Sequence, residues 1–154
     1  MAHIHFIGGE KGGVGKSVTA RLLAQYFIDR GQPFTGYDTD RSHHSFTRFY
    51  ADYAAPVAVD SFEGLDTVVN GFEHNPQHSV IVDMAAQTLA PLARWIEESQ
   101  LFDVFAELGV GVVSSLEVGN DPRVRAVPLV GPELTNRHLI GCLEKRRGLR
   151  VIRR

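Results

Sequence analysis

A glycine-rich stretch near the N-terminus constrains the fold of this 154-residue chain more than any other feature. Residues 9–17 read Gly-Glu-Lys-Gly-Gly-Val-Gly-Lys-Ser and follow a short, weakly alternating apolar run at 3–7. From Ser17 to about Arg30, apolar residues recur every three or four positions, which predicts an amphipathic helix. Gly31 suits the end of that helix. A strand, a glycine turn and a helix in this order predict the start of a βαβ unit.

The glycine turn has the residues needed to bind a polyphosphate. Glycines let backbone N–H groups approach an anion closely, and the dipole of the following helix favours negative charge. In a P-loop, Lys16 would reach the β- and γ-phosphates and the Ser17 hydroxyl would bind Mg²⁺. Glu10 stands where the usual P-loop pattern has its first glycine. We predict ATP and Mg²⁺ as cofactors, bound by Gly12, Gly13, Val14, Gly15, Lys16, Ser17 and Val18.

The stretch from Lys11 to Ser17 resembles the deviant Walker A motif, K-G-G-x-x-K-[ST], of the ParA/MinD family of P-loop ATPases. The resemblance implies that Lys11 is catalytic and reaches the phosphates of the partner subunit in a nucleotide-sandwich dimer. A cation supplied by the partner neutralises charge on the γ-phosphate and couples hydrolysis to dimerisation. The resemblance therefore implies a homodimer that forms on ATP binding, with Lys16 as the second catalytic lysine.

Three aspartates are similar to the acidic residues of the same family. Asp38 and Asp40 follow the second predicted strand, at 33–37, as the D-x-D segment of switch I does, and the resemblance makes both catalytic. Asp38 would lie near the metal-bound water, and Asp40 would position the attacking water. Asp83 closes a buried apolar strand and resembles the Walker B acid. The implied metal ligands are Ser17, Asp38 and Asp83.

The residues after Asp83 resemble one group of related proteins in particular. Positions 84–87 read Met-Ala-Ala-Gln, which is similar to switch II of the TraL/MobD-like accessory proteins of plasmid conjugation and mobilisation. The resemblance covers about the first 115 residues. It implies an ATPase that switches an assembly in plasmid partition, mobilisation or conjugation, with a protein partner from that machinery.

Strands alternate with helices along this part of the chain, which favours a parallel sheet covered on both faces. The predicted fold class is α/β: a three-layer P-loop NTPase with a mostly parallel sheet, truncated after about the fourth strand. Further predicted elements are a short helix at 45–53, a short strand at 57–59, a strand at 79–84, helices at 92–100 and 101–108, and a strand at 110–113.

Charge divides the chain into two parts. Residues 1–118 carry 7 Lys/Arg and 15 Asp/Glu, whereas residues 119–154 carry 9 and 3. We predict a P-loop ATPase domain at 1–115 and a basic tail at 116–154. Three explanations of the tail stay open: a natural short variant, a truncated protein completed by a partner, or an altered reading frame. A basic tail could bind DNA non-specifically, and binding to an anionic membrane is less favoured.

Other features exclude several classes of protein. A single cysteine, Cys142, cannot form an internal disulfide or supply a structural zinc site. No apolar run approaches the 18 residues of a spanning helix, and no signal peptide is visible. These features favour a cytoplasmic protein.

Two alternatives to the ATPase switch stay open: a truncated nucleotide-binding module without turnover, and a P-loop small-molecule kinase or ligase.

Overall fold

The structure is a computed structural model that describes residues 2–8, 13, 15–59, 61–74, 78–86 and 88–115. Strands and helices alternate along most of these ranges, as the sequence predicts. The elements are β1 (His3–Ile7), α1 (Lys16–Asp29), β2 (Phe34–Asp38), β3 (Ala54–Pro56), α2 (Phe62–His74), β4 (Ser79–Asp83), α3 (Leu89–Glu98), α4 (Leu101–Glu107) and β5 (Gly111–Ser115).

The strands form one sheet in the order β3-β2-β4-β1-β5. Every pairing in it is parallel. Successive side chains of a strand point to opposite faces, and each face of this sheet carries its own apolar cluster. Helix α1 packs on one face, and α2, α3 and α4 pack on the other. The predicted α/β class, with a parallel sheet between layers of helices, is confirmed.

The face covered by α2, α3 and α4 holds the larger core. Trp95 of α3 is 0 % exposed, and its indole N–H donates to the Asp66 carboxylate of α2 at 3.2 Å. Phe72 of α2 meets Phe105 of α4 edge-to-face, with ring centroids 6.0 Å apart. These contacts fix the three helices against β4 and β1, the central strands that lead to the site described below.

The opposite face is covered by α1 and by the segment after β2. Phe27 of α1 packs on Phe34 of β2, with ring centroids 5.6 Å apart. Phe46 is fully buried and lies over Gly36, where an added Cβ would come within 2.6 Å of its ring. Gly36 therefore permits a close approach that holds the segment after β2 against the sheet.

Three expectations about the middle of the chain were wrong or incomplete. Residues 45–53 form turns instead of a short helix, and the strand expected at 57–59 lies at Ala54–Pro56. The reason for the turns lies outside the segment: the Asp38 carboxylate, at the end of β2, accepts hydrogen bonds from backbone N–H groups at 46 and 47 and so holds this segment in a different path. Helix α2 was not predicted, although its buried residues recur at helical spacing: Leu65, Val68, Val69 and Phe72.

The predicted domain boundary near 115 stays a prediction, because the described residues end at Ser115. The predicted basic tail at 116–154, with its DNA and membrane alternatives, lies outside the described residues. Within the described ranges, no helix is long and apolar enough to cross a membrane.

Candidate functional site

The carboxyl ends of the parallel strands meet at one edge of the sheet, where α/β proteins bind their ligands. The strand register pairs Asp83 with Ile7 of β1 and with Asp38 of β2. Two backbone hydrogen bonds continue this arrangement past the strand ends. Thr39 N–H donates to the Asp83 carbonyl, and Met84 N–H donates to the Ile7 carbonyl, each at 3.0 Å. The segments that leave β1, β2 and β4 are therefore held side by side.

The glycine turn delivers the start of α1 to this edge. Gly13 and Gly15 have φ angles of 75° and 94°, in the left-handed region that favours glycine. Helix α1 then begins at Lys16, and its first turn is closed by Thr19 N–H, which donates to the Gly15 carbonyl at 2.9 Å. A helix N-terminus attracts anions because its first N–H groups have no partner within the helix.

A cavity of about 570 Å³ opens at this edge. It brings together residues from the glycine turn, α1, the segment after β2, and β4. Of the predicted site residues in the described ranges, Asp38 alone does not line the cavity. Those that do are Gly13, Gly15, Lys16, Ser17, Val18, Asp40 and Asp83. Lys11, Gly12 and Val14 lie outside the described residues, and their assignments stay predictions.

Asp83 is a buried carboxylate, 2 % exposed. Neither of its oxygens accepts a hydrogen bond of normal geometry from the residues that the structure describes. Burial raises the pKa of Asp83 to about 6; the nearby Ser17 hydroxyl opposes this rise, as does the Lys16 ammonium. The charges of Asp38 and Asp40 add to it. The site thus holds an acidic group that lacks a strong partner and lies close to a hydroxyl and a cation.

These residues fit Mg²⁺ bound together with phosphates. Mg²⁺ takes oxygen donors, keeps several waters, and is usually held by one or two protein carboxylates plus phosphate oxygens. The Ser17 hydroxyl and the Asp83 carboxylate are two such donors on one cavity wall. No cluster of three or more His, Cys, Asp or Glu that could hold a metal ion occurs in the described part of the chain. The donor set suits a metal that arrives with its phosphates better than an all-protein metal cage.

Asp38 organises the segment that follows β2. It is 1 % exposed, and its Oδ2 accepts hydrogen bonds from the N–H groups of Phe46 at 2.9 Å and Thr47 at 3.1 Å. The Thr47 hydroxyl donates to the same oxygen at 3.3 Å, and Oδ1 accepts from Asp40 N–H at 3.0 Å. The carboxylate is therefore used within the loop in this structure. Its predicted catalytic and metal-binding roles remain predictions.

Asp40 lines the cavity and is paired with His43. Its Oδ1 accepts N–H groups of Ser42 at 2.8 Å and His43 at 3.1 Å, and its Oδ2 lies 3.2 Å from the His43 ring Nδ1. Partial burial raises the pKa of Asp40, but the two backbone hydrogen bonds and His43 outweigh it and hold the pKa below its usual value. Asp40 is thus an ionised group with a fixed orientation at the cavity wall.

Sequence reasoning missed an aromatic and two cations that also line the cavity. The Arg21 guanidinium lies 4.6 Å from the centre of the Phe49 ring, and that of Arg48 lies 5.0 Å from it. Arg21 also donates through Nε to the Ser17 carbonyl at 3.1 Å. The position of Arg21, one helical turn after Ser17, is a usable sequence signal. The contacts of Phe49 depend on how two distant segments pack, which sequence spacing does not show.

The chain is similar in sequence to proteins of two named groups. It is 31 % identical over 115 residues to a TraL protein of Escherichia coli, covering 71 % of this chain and 47 % of that protein. A second Escherichia coli TraL is 29 % identical with the same coverage. MobD of Acidithiobacillus ferrooxidans is 29 % identical over 86 residues, which is 54 % of this chain and 38 % of MobD. The chain thus spans about half the length of the TraL proteins, and less of MobD.

The remaining comparisons add little. No protein-family model matches the chain. Among solved structures, the APS kinase CysC of Mycobacterium tuberculosis superposes with a TM-score of 0.39 at 20 % identity, over 93 % of this chain and 98 % of that chain. This superposition is loose, so no functional feature is transferred from that enzyme.

Proposed function

We propose that this chain binds Mg-ATP in the cavity at the carboxyl edge of its sheet and hydrolyses it slowly to ADP and phosphate. One observation carries the proposal: Lys16 and Ser17, at the first turn of α1, line the same cavity as the buried Asp83. A cation, a hydroxyl and a carboxylate that lacks a strong partner suit a polyphosphate and its divalent cation at a helix N-terminus.

Each residue of the cavity would have a role that follows from its charge. The N-terminal amides of α1 and the Lys16 ammonium bind phosphate oxygens and stabilise the charge that develops during transfer. Ser17 and Asp83 hold Mg²⁺, which when bound neutralises phosphate charge. Asp40, ionised and fixed by its hydrogen bonds, orients the attacking water from the cavity wall. Lys11 acts across a homodimer, as in ParA/MinD-type ATPases.

The similarity to TraL and MobD supports a role in plasmid conjugation and mobilisation, the processes served by the group that the sequence motifs resemble. In this role the ATP-bound dimer would recruit a protein of the transfer machinery in the cytoplasm, and hydrolysis would release it. The matched segment covers 47 % of the first TraL protein, so binding, dimerisation and turnover are each tested separately on this chain.

The first test is calorimetric titration of the purified chain with Mg-ATP, with its mass followed by light scattering. We expect saturable binding and a shift from monomer to dimer. Lys16→Ala should weaken binding by at least about tenfold, since it removes the cation beside the phosphates. Arg30→Ala is the matched control because it removes a cation just beyond the other end of α1. It should leave binding unchanged.

A second variant separates binding from switching. Lys11→Ala should keep nucleotide binding but lose both the dimer and phosphate release. Absence of Mg-ATP binding by the unaltered chain would overturn the proposal. Binding without phosphate release or a change in mass would instead identify a nucleotide-binding module without turnover. Turnover that requires an added metabolite, at a rate per molecule independent of protein concentration, would identify a small-molecule kinase or ligase.

A further inference from the structure

Helix α1 carries a stripe of exposed apolar side chains on its outer surface. Val18, Leu22 and Tyr26 are spaced four residues apart and therefore lie on one side of the helix. They are 49 %, 68 % and 47 % exposed. Phe49, on the segment after β2, is 56 % exposed and extends this surface. Large apolar side chains grouped in this way mark an interaction surface, whereas single exposed ones do not.

The stripe borders a groove of about 450 Å³, which we call the α1 groove. The groove shares Val18, Arg21 and Phe49 with the candidate nucleotide cavity, so the two are adjacent along α1. The residues that line it are Val18, Arg21, Leu22, Gln25, Phe49 and Tyr50.

The walls of the α1 groove are held in place by polar contacts. The Tyr50 hydroxyl donates to the Gln25 side-chain carbonyl at 3.2 Å, which ties the segment after β2 to α1. Phe49 is in contact with the Arg21 and Arg48 guanidinium groups. A surface that is already ordered loses less side-chain entropy when a ligand binds. The α1 groove is therefore organised in the free protein.

Charge indicates what the α1 groove binds. Five Lys/Arg and two Asp/Glu occur in the ranges that include the groove, 16–30 and 41–53. One Lys/Arg and seven Asp/Glu occur in the ranges 61–74 and 89–107. The first pair of ranges lies on the α1 side of the sheet, and the second pair comprises α2, α3 and α4. Arginines that stack on an aromatic ring keep N–H donors at their edges for carboxylates.

We propose that the α1 groove docks an acidic amphipathic segment of a partner protein. Its apolar side chains would fill the groove beside Leu22 and Phe49, and its carboxylates would pair with Arg21 and Arg48. A second copy of this chain is a poorer occupant, because a twofold contact through the groove would bring its arginines against their own symmetry mates. The proposal needs no nucleotide, so its failure can be told apart from failure of the ATPase proposal.

The test begins with an unbiased probe, a displayed library of random 16-residue peptides selected on the nucleotide-free chain. Peptides that also bind the double variant Leu22→Ser, Phe49→Ser are removed. We expect the remaining sequences to be enriched in Asp and Glu, with apolar residues at three- and four-residue spacing. Failure to enrich any peptide over the double variant, or enrichment of basic or uncharged peptides, would overturn the proposal.

Affinity of one selected peptide, measured by fluorescence anisotropy, then tests each part of the surface. Leu22→Ser should weaken binding by at least about tenfold, and Arg48→Gln by about threefold, with further weakening as salt rises. Phe62→Ser is the matched control, since Phe62 is 48 % exposed but belongs to α2 on the other face of the sheet. Equal losses in Leu22→Ser and Phe62→Ser would contradict a specific groove.

Light scattering of the chain without peptide or nucleotide tests the remaining occupant. A concentration-dependent dimer that Leu22→Ser abolishes would show that a second copy fills the α1 groove, and would overturn the proposal. A monomer in both proteins supports it. Because the substituted side chains are exposed, far-UV circular dichroism of the variants should match that of the unaltered chain.

Discussion

The carboxylate of Asp83 makes the ligand-free protein less stable than a neutral side chain would. Its pKa is about 6 in the folded protein and about 3.8 without the fold, so the folded state binds this proton more tightly. Below about pH 4, Asp83 is protonated and does not lower the free energy of unfolding. As the pH rises to about 6, the folded protein loses this advantage because the buried group must ionise. The shift corresponds to roughly 3 kcal/mol at neutral pH.

Asp83→Asn tests this cost. In EDTA at pH 7.5 the variant should be about 1–2 kcal/mol more stable than the unaltered chain, less than the full cost because asparagine still buries polar atoms without partners. The gain should disappear near pH 4, and Mg-ATP should no longer stabilise the variant. Urea unfolding at both pH values measures this, with the exposed Asp103→Asn as control. A variant less stable than the unaltered chain at pH 7.5 would contradict the prediction.

His5 acts in the opposite direction on the pH dependence of stability. Burial lowers the pKa of His5 to about 4, helped by the nearby His3, so the unfolded chain binds this proton at a higher pH than the folded one. Folding is therefore not opposed by His5 above about pH 6.5, where the ring is neutral in both states. The free energy of unfolding decreases as the pH falls from about 6.5 towards 4.

His5→Leu should therefore reduce the loss of stability between pH 7 and pH 4.5, because leucine keeps an apolar contact with Phe27 and does not titrate. The melting temperature of the variant minus that of the unaltered chain should increase as the pH falls. His44→Asn, at an exposed position, is the control. An unchanged pH profile in His5→Leu would show that His5 is not the source.

At the scale of elements, the segment after β2 depends on one side chain. The Asp38 carboxylate accepts N–H groups of Phe46 and Thr47, and Phe46 in turn lies on Gly36 of β2. A loop held by a buried carboxylate has a defined path without being a helix or a strand. The candidate cavity and the α1 groove both include residues of this segment, so its path shapes both.

Asp38→Asn should loosen this segment. The amide group has only one acceptor oxygen, so either Asp40 N–H or the N–H groups of both Phe46 and Thr47 lose their partner. The lost contacts cost about 1–3 kcal/mol. Hydrogen exchange at the amides of Asp40, Phe46 and Thr47, measured without Mg²⁺, should show which side is lost, and exchange there should accelerate much more than in β4. Asp52→Asn, at an exposed position, should change neither. Unaltered exchange at 40, 46 and 47 would mean that other contacts hold the segment.

Sequence periodicity was sufficient for the elements whose structure is decided locally. Helix α1 and strand β4 follow their apolar patterns. The order strand, turn, helix and strand predicted that Lys16, Ser17 and Asp83 lie at one edge of the sheet, and the three residues line one cavity there. The segment at 45–53 was misread as a helix because a distant carboxylate decides its path. Phe49 was missed because its contact with Arg21 joins two distant segments, and Arg48 was missed with it because Arg48 lies against the Phe49 ring.

At the scale of the whole molecule, the described residues form one sheet with a core on each face, and the central strands β1 and β4 belong to both. Phe6 of β1 points into the core of α2, α3 and α4, and its neighbour Ile7 points into the core of α1. The same alternation occurs in β4 with Val82 and Ile81. Removing a buried side chain from the core on one face should therefore also destabilise the core on the other face.

Phe27→Ala tests this coupling from the α1 face. The substitution leaves a cavity in a buried aromatic cluster and should cost about 3–5 kcal/mol. Trp95, the single tryptophan, reports on the opposite core, and the urea midpoint of its fluorescence should fall together with that of far-UV circular dichroism. Leu22→Ala, on the exposed side of α1, is the control. An unchanged Trp95 midpoint would show that the two faces unfold separately.

The parallel pairing has a consequence for the order of events during synthesis. Ile4 of β1 pairs with Val80 of β4 and with Val112 of β5, so neither neighbour of the first strand is near it in sequence. Parallel strands cannot close as hairpins, and contacts between distant residues form slowly. Strand β1 therefore leaves the ribosome before either of these two neighbours. Until β4 and β5 have been made, the nascent chain must keep β1 and its glycine turn from pairing with other chains.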